Sequence, residues 1–173
     1  TSQTDTAPLA HVLLPATGWG EKDGTVTNSD RTISRQRAVL PVPGNARPDW
    51  KIMAEVGQRM GWQDAFDWET PAEIFDEHSR LSAIAGEAGL DFDISAMAGM
   101  DAAAYDRMLP TRWPQRRAGA IDRFFADGKF FHADGRGRIV PVSYRPPAAV
   151  PSRERPFQLN TGRLRDQWHT MTR

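Results

Sequence analysis

The chain has 173 residues, enough for one domain or one domain and part of another, and 39% of them are hydrophobic and 25% charged, which excludes an intrinsically disordered chain. The formal net charge is zero and no apolar run is long enough to cross a bilayer, so composition gives no support to a nucleic-acid or membrane partner. The absence of cysteine excludes disulfides, thiolate zinc sites and iron–sulfur ligation by these residues.

The first forty residues are predicted to be largely extended. The apolar run at 9–15 predicts a buried strand or the end of one. A loop with three glycines follows at 18–24, where glycine permits close backbone approach. Extended segments are predicted at 25–28 and 33–40.

Two helices follow. The first opens at 48–50 and stops at Gly61, and its predicted apolar side comprises Trp50, Met53, Val56, Gly57 and Met60. The second opens with Thr70 as N-cap, Pro71 at the first helical position and Glu73 completing a capping box. Gly86 or Gly89 ends it, and its predicted apolar side comprises Ile74, Phe75, His78, Leu81 and Ile84 or Ala85.

The last third of the chain differs in composition and is richer in predicted turns and in proline. Asp101 is predicted to cap a short helix over 102–109, and Asp134-Gly135 to form the turn of a hairpin within 124–142. A proline-rich stretch at 146–156 is typical of a stiff linker, which places a domain boundary near residue 150. A strand is predicted at 157–160.

A polar run after Asn160 is the first candidate for a binding site. It has no helical or strand period, and its glycine, threonine hydroxyl and arginine forks suit phosphate oxygens, while its tryptophan offers a flat face to a heterocycle. An ordinary polar turn is the alternative. The candidate residues are Thr161, Gly162, Arg163, Leu164, Arg165, Asp166, Gln167, Trp168, His169 and Thr170.

Two further candidates carry single charges. Lys22, in the glycine-rich loop, suits a phosphate or the polar edge of a heterocycle, and its alternative role is an exposed loop charge pair. Asp49 suits a guanine edge, and its alternative role is a cap at the start of the first helix. No dinucleotide-binding glycine motif, Walker A loop, nucleophile elbow or zinc-binding H-E-x-x-H motif occurs.

The order and spacing of three stretches resemble the molybdopterin-dinucleotide oxidoreductases of the dimethyl sulfoxide reductase superfamily, and within it the assimilatory nitrate reductases. These stretches are 10–37, with its Glu21-Lys22-Asp23-Gly24 loop, then 43–50 and 159–173. The resemblance implies molybdenum held by two molybdopterin guanine dinucleotides. It implies that Lys22 and Asp49 contact one dinucleotide and that 161–170 wraps the other.

The resemblance also implies a larger parent protein. The chain is then a piece of the catalytic subunit, with 1–145 a partial α/β domain, in keeping with helices that alternate with strands, 146–156 a linker and 157–173 the start of a double-psi β-barrel-like domain. The [4Fe–4S] cluster and the molybdenum-ligating cysteine of the family lie outside this cysteine-free chain. No catalytic residue or metal ligand is therefore assigned to it.

The implied reaction is reduction of nitrate to nitrite, with electrons from a ferredoxin, flavodoxin or NADH-linked partner. No signal peptide is visible after Thr1, so a cytoplasmic protein is expected. Two alternatives stay open. One is a formate dehydrogenase or another molybdopterin oxidoreductase, and the other is a binding module without catalysis.

Overall fold

The computed structural model describes residues 4–121, 123–160 and 162. The chain divides into two compact units, Thr1–Ala126 and Asp127–Arg173. The first unit mixes helices with small antiparallel sheets, which confirms a mixed α/β class. Among the described residues, no helix is both long enough and apolar enough to cross a bilayer.

The first unit contains one sheet of three strands and one of two, both antiparallel. The three-stranded sheet has the order β1-β2-β3, with β1 at Gly24–Thr27, β2 at Thr32–Gln36 and β3 at Thr111–Arg112. The smaller sheet pairs β4 at Gln115–Arg116 with β5 at Gly119–Ala120. The helices are α1 at Asp49–Arg59, α2 at Pro71–Glu87 and α3 at Ala102–Asp106. Short 3₁₀ turns lie at Ala7–Leu9, Trp19–Glu21, Gln63–Ala65 and Ser95–Met97.

Local signals placed the starts of the three helices and the ends of the first two correctly. The Thr70 hydroxyl accepts a hydrogen bond from Glu73 N at 3.4 Å, and a Glu73 carboxylate oxygen accepts one from Thr70 N at 3.1 Å. Asp101 accepts one from Ala104 N at 2.7 Å. Gly61, with φ +97°, follows α1 as predicted. The third helix is shorter than predicted and ends before Pro110, whose ring disfavours a helical residue in front of it.

The buried faces of the helices agree with the predicted ones only in part: Phe75 and Gly57 are buried as predicted, but other members of the predicted faces are exposed. Leu81 and Ile84 of α2 are 53% and 63% exposed, while Phe75, Ser79 and Ser82 are buried. On α1 the buried residues are Ala54 and Gly57, and Met53, Val56 and Met60 are exposed. Small residues let a helix approach its neighbour closely, so they face inward here. The hydrophobic core comprises Ile33, Phe75, Ile94, Met97, Tyr105 and Met108.

Two predicted extended elements are wrong, and a third forms a strand over only its first half. Residues 9–15 are exposed and form no strand, and their neighbour Ala16 makes an isolated bridge with Arg47. Residues 157–160 are exposed and unpaired. The second predicted extended segment, 33–40, is strand only as far as Gln36. A strand needs a partner for its backbone groups, and within the described residues no strand pairs with 9–14 or with 157–160.

The described part of the second unit has turns but neither helix nor strand. Gly135, with φ +68°, forms the predicted turn, and its carbonyl accepts a hydrogen bond from Phe130 N at 2.8 Å. The strands that would make this turn a hairpin are absent from 124–142, so that prediction is wrong. Residues 146–156 are exposed and irregular. The boundary near residue 150 and the barrel domain stay predictions.

Candidate functional site

Lys22 and Asp49, both predicted from sequence, lie together as an ion pair. The Lys22 Nζ and an Asp49 carboxylate oxygen are 2.5 Å apart, and the two side chains are 31% and 58% exposed. Pro48 occupies the N-cap position of α1, so Asp49 is the first helical residue and not the cap. Its charge still faces the positive end of the helix dipole. Neither charge is buried, so both are available to a ligand.

A backbone bridge brings the two loops together. Thr17 N donates to the Arg47 carbonyl at 3.1 Å, and Arg47 N donates to the Pro15 carbonyl at 3.0 Å. These two hydrogen bonds form the isolated parallel bridge between Ala16 and Arg47. Because Lys22 lies five residues after Thr17 and Asp49 two residues after Arg47, the bridge fixes the distance between the two charged loops.

The 3₁₀ turn at Trp19–Glu21 shapes the lysine loop. A Glu21 carboxylate oxygen accepts from Gly18 N at 2.6 Å, and the Gly20 carbonyl accepts from Val39 N at 2.8 Å and from Leu40 N at 3.0 Å. A Cβ at Gly20 would lie 3.2 Å from the Leu40 side chain. A larger residue would therefore need the Leu40 side chain to shift by a few tenths of an ångström, so glycine eases the close backbone approach that the glycine-rich loop predicted.

Asp23, which follows Lys22, is held in place by a side chain of β2. Asp23 forms an ion pair with Arg35, whose guanidinium also donates to the Gly24 carbonyl at 2.9 Å. Burial lowers the pKa of the Arg35 guanidinium, but the hydrogen bond to Asp23 and nearby charges outweigh burial and raise that pKa above its ordinary value. Arg35 therefore keeps its charge. Arg35 is a functional residue that the sequence did not single out, although an arginine within a predicted strand beside an acidic loop was a usable signal.

Lys22 and Asp49 line a cleft of about 710 Å³. Thr17 also lines it and is 4% exposed, and its hydroxyl oxygen has no hydrogen-bond partner among the described residues. A buried hydroxyl without a partner is unfavourable, so its presence at a cleft is consistent with a polar ligand. The remaining lining residues are Thr4, Ala7, Leu13, Leu14, Pro15, Ala16, Gly18, Glu21, Pro43, Asn45 and Ala46.

This arrangement suits binding rather than bond making. A lysine ammonium is a point charge for phosphate, and a carboxylate accepts hydrogen bonds from N–H groups. Within the described ranges, no three His, Asp or Glu side chains are grouped in a way that could hold a metal ion.

Thr161 and residues 163–170, the predicted binding loop, lie outside the described residues. Gly162 is described and is exposed. The association of this loop with a ligand stays a prediction.

The chain has clear relatives. Residues 1–59 match the family model described as molybdopterin oxidoreductase. The chain is 47% identical to a nitrate reductase of Klebsiella oxytoca, over 99% of this chain and 20% of the relative. It is 44% identical to a nitrate reductase of Shewanella frigidimarina, over 98% of this chain and 19% of the relative. It is 36% identical to the F420-dependent formate dehydrogenase 2 subunit alpha of Methanococcus maripaludis, over 98% of this chain and 24% of the relative.

The chain thus spans about a fifth to a quarter of the length of these curated relatives. Both Lys22 and Asp49 lie inside the segment that matches the family model. The similarity extends over nearly the whole chain, which includes the sheet and the helices that hold the ion pair. The chain is thus similar to molybdopterin oxidoreductases over residues 1–59 and to nitrate reductases over nearly its whole length.

Proposed function

We propose that this chain is part of a molybdenum-dependent nitrate reductase and supplies binding groups for a molybdopterin guanine dinucleotide. The observation that carries the proposal is the pair of Lys22 and Asp49 beside one cleft, within the family-matched segment. The nitrate reductases at 47% and 44% identity support nitrate as the substrate.

The cleft residues fit a guanine dinucleotide. Lys22 offers a positive charge to phosphate oxygens, and Asp49 offers two carboxylate oxygens to the N–H groups of a guanine edge. Thr17 adds a buried hydroxyl that lacks a partner in the described part of the chain. On binding, the ion pair between Lys22 and Asp49 would break. Lys22 would then contact phosphate oxygens, and Asp49 would contact guanine N–H groups.

The chain's own contribution is binding and orientation. When bound, the molybdenum cofactor supplies the redox chemistry that converts nitrate to nitrite by transfer of one oxygen atom. The protein has no cysteine in these residues, so a [4Fe–4S] cluster would be held elsewhere in the parent. The proposal includes a cytoplasmic parent that receives electrons from a ferredoxin, a flavodoxin or an NADH-linked protein.

The predicted binding loop at 161–170 would serve the second dinucleotide of the cofactor. Residues 161–170 would contact the second dinucleotide as the first part of a β-barrel domain that begins at 157, with 146–156 as the linker. Arg163 would contribute one charged hydrogen bond, which is worth about 1.5–3 kcal/mol. Arg163→Ala in the full-length protein should therefore lower guanine content, and wild-type content would contradict this role.

Lys22→Ala in the full-length protein tests the cleft. Loss of one charged hydrogen bond should weaken dinucleotide binding by about 10-fold to 100-fold, so molybdenum and guanine content after gel filtration should fall. Lys51→Ala is the matched control, because Lys51 is an exposed lysine of α1 that does not line the cleft. Equal cofactor content in both variants would refute the proposal.

A formate dehydrogenase is the second candidate, because formate dehydrogenase subunits are up to 36% identical to this chain. Assays of the full-length protein with nitrate and with formate separate the two. Turnover of nitrate alone supports the first function, and turnover of formate alone supports the second. Turnover of neither substrate, with no bound cofactor, supports the binding-module alternative.

A further inference from the structure

We infer that Arg35 is a positioning residue for the ligand-binding lysine. Its guanidinium holds Asp23 and the Gly24 carbonyl, and these contacts fix Lys22, one residue earlier, opposite Asp49. The inference rests on the proposed function, because the position of Lys22 affects binding only if a ligand occupies that cleft.

The strand register explains how Arg35 reaches the loop. In the antiparallel pair of β1 and β2, Arg35 lies opposite Thr25, and Gly24 lies opposite Gln36. The guanidinium donates to the carbonyls of Gly24 and Gln36 as well as to the Asp23 carboxylate. It therefore ties the end of the lysine loop to the edge of the sheet at several points.

The other side of the guanidinium is confined. Its central carbon lies 4.4 Å from the centre of the Tyr105 ring, and one nitrogen lies 3.4 Å from an Asp106 carboxylate oxygen. The side chain is only 7% exposed. A buried charge with several partners cannot swing away without a large loss of hydrogen bonding, so Arg35 holds the loop in one position.

Lysine cannot reproduce this arrangement. Its ammonium is a compact point charge, while the planar guanidinium binds several acceptors in fixed directions and stacks on an aromatic ring. Arg35→Lys keeps the charge and can keep the ion pair with Asp23. It should lose the simultaneous contacts with the Gly24 carbonyl and the Tyr105 ring, so Lys22 should occupy more positions.

Arg37 offers a matched control just beyond β2. It too contacts Asp106, through an ion pair of 3.4 Å, but it is 52% exposed, and within the described residues its hydrogen bond and ion pair go to Asp106 and not to the Lys22 loop. Arg37→Lys therefore makes the same chemical change beside the same acidic residue without releasing Asp23.

The experiment measures GDP binding to the cofactor-free, full-length protein by calorimetric titration. GDP is the probe because it carries a guanine and a pyrophosphate. The variants are Lys22→Ala, Arg35→Lys, the Lys22→Ala/Arg35→Lys double variant and Arg37→Lys. Asp23→Asn is added as a milder change at the other end of the ion pair, so the test survives if Arg35→Lys does not fold.

Lys22→Ala should weaken GDP binding at least tenfold, and Arg35→Lys about threefold to tenfold. Asp23→Asn should weaken binding in the same direction, and Arg37→Lys should stay within about twofold of the wild-type protein. In the double variant, Arg35→Lys should add no more than about a twofold loss, because its effect passes through Lys22.

The outcomes distinguish the positioning role of Arg35 from the proposed binding function of Lys22. Wild-type GDP affinity in both Arg35→Lys and Asp23→Asn, together with a loss in Lys22→Ala, would overturn the positioning role and leave the proposed function standing. A full, additive loss from Arg35→Lys in the double variant would also overturn it, because Arg35 would then act on the protein as a whole. No loss in Lys22→Ala would instead reject the proposed function.

Discussion

Ser82→Ala tests the serine face that replaces the predicted apolar face of α2. Ser82 is 3% exposed, and its hydroxyl accepts a hydrogen bond from Ile94 N at 2.9 Å. The same hydroxyl donates to the Ser79 carbonyl at 2.7 Å. Substitution by alanine removes the partner of a buried backbone N–H group in the core.

The expected loss follows from that orphaned donor. A buried donor without a partner costs about 1–3 kcal/mol. Alanine has a higher helix propensity than serine, which offsets about 0.5 kcal/mol of the loss. The net fall in the free energy of unfolding should be about 0.5–2.5 kcal/mol, which at about 2–4 °C per kcal/mol lowers the Tm by about 1–10 °C.

Ser79→Ala is the matched control. Ser79 is fully buried, and its hydroxyl donates to the Phe75 carbonyl at 2.7 Å within the same helix. That carbonyl keeps its regular helical partner after the substitution, so stability should change by only about 0.5 kcal/mol. Urea unfolding of the chain, followed by tryptophan fluorescence, measures both variants. If Ser82→Ala is no more destabilising than Ser79→Ala, the argument from the orphaned N–H group is wrong.

Two further predictions concern local contacts. Thr70→Ala removes the N-cap bond to Glu73 and should lower the free energy of unfolding by about 1 kcal/mol in the same assay, whereas Thr70→Ser should retain most of the stability. Burial raises the pKa of Tyr105, and the nearby Arg35 charge does not outweigh it, so the phenol's contribution to stability is present below the ordinary tyrosine pKa and is lost as pH rises through the folded-state value. In Tyr144→Phe, Tyr105 is the only tyrosine left, and its phenolate absorbance near 295 nm should appear at higher pH in folded than in urea-unfolded protein; coincident titrations would contradict this.

The sequence by itself determined the features that depend on neighbouring residues. Thr70 and Glu73 form the predicted capping box, Asp101 caps the third helix, and Gly61 and Gly135 take positive φ where stops or turns were predicted. These features need only a few residues of chain, because a cap or turn is satisfied by the side chains and backbone within it. The family resemblance was also confirmed, since it rests on the order of the residues.

The faces of the helices could not be predicted in this way. An apolar period predicted that Leu81 and Ile84 point inward, but the neighbouring segment approaches α2 closely enough to require Ser79 and Ser82 there. Residues 157–160 had a strand-like composition and yet pair with no strand in the part of the chain that the structure describes. Whether an apolar residue or strand is buried depends on the partner that covers it, and periodicity carries no information about that partner.

The candidate site also combines features that the sequence determines with features that only the fold determines. The sequence identified Lys22 and Asp49 as separate candidates, each with a plain structural alternative. Only the tertiary structure decided that these two residues, 27 positions apart in sequence, meet at 2.5 Å, because the bridge between Ala16 and Arg47 joins their loops. Charge and residue type are properties of the sequence, whereas the distance between two charges is set by backbone hydrogen bonds that form only when the chain folds.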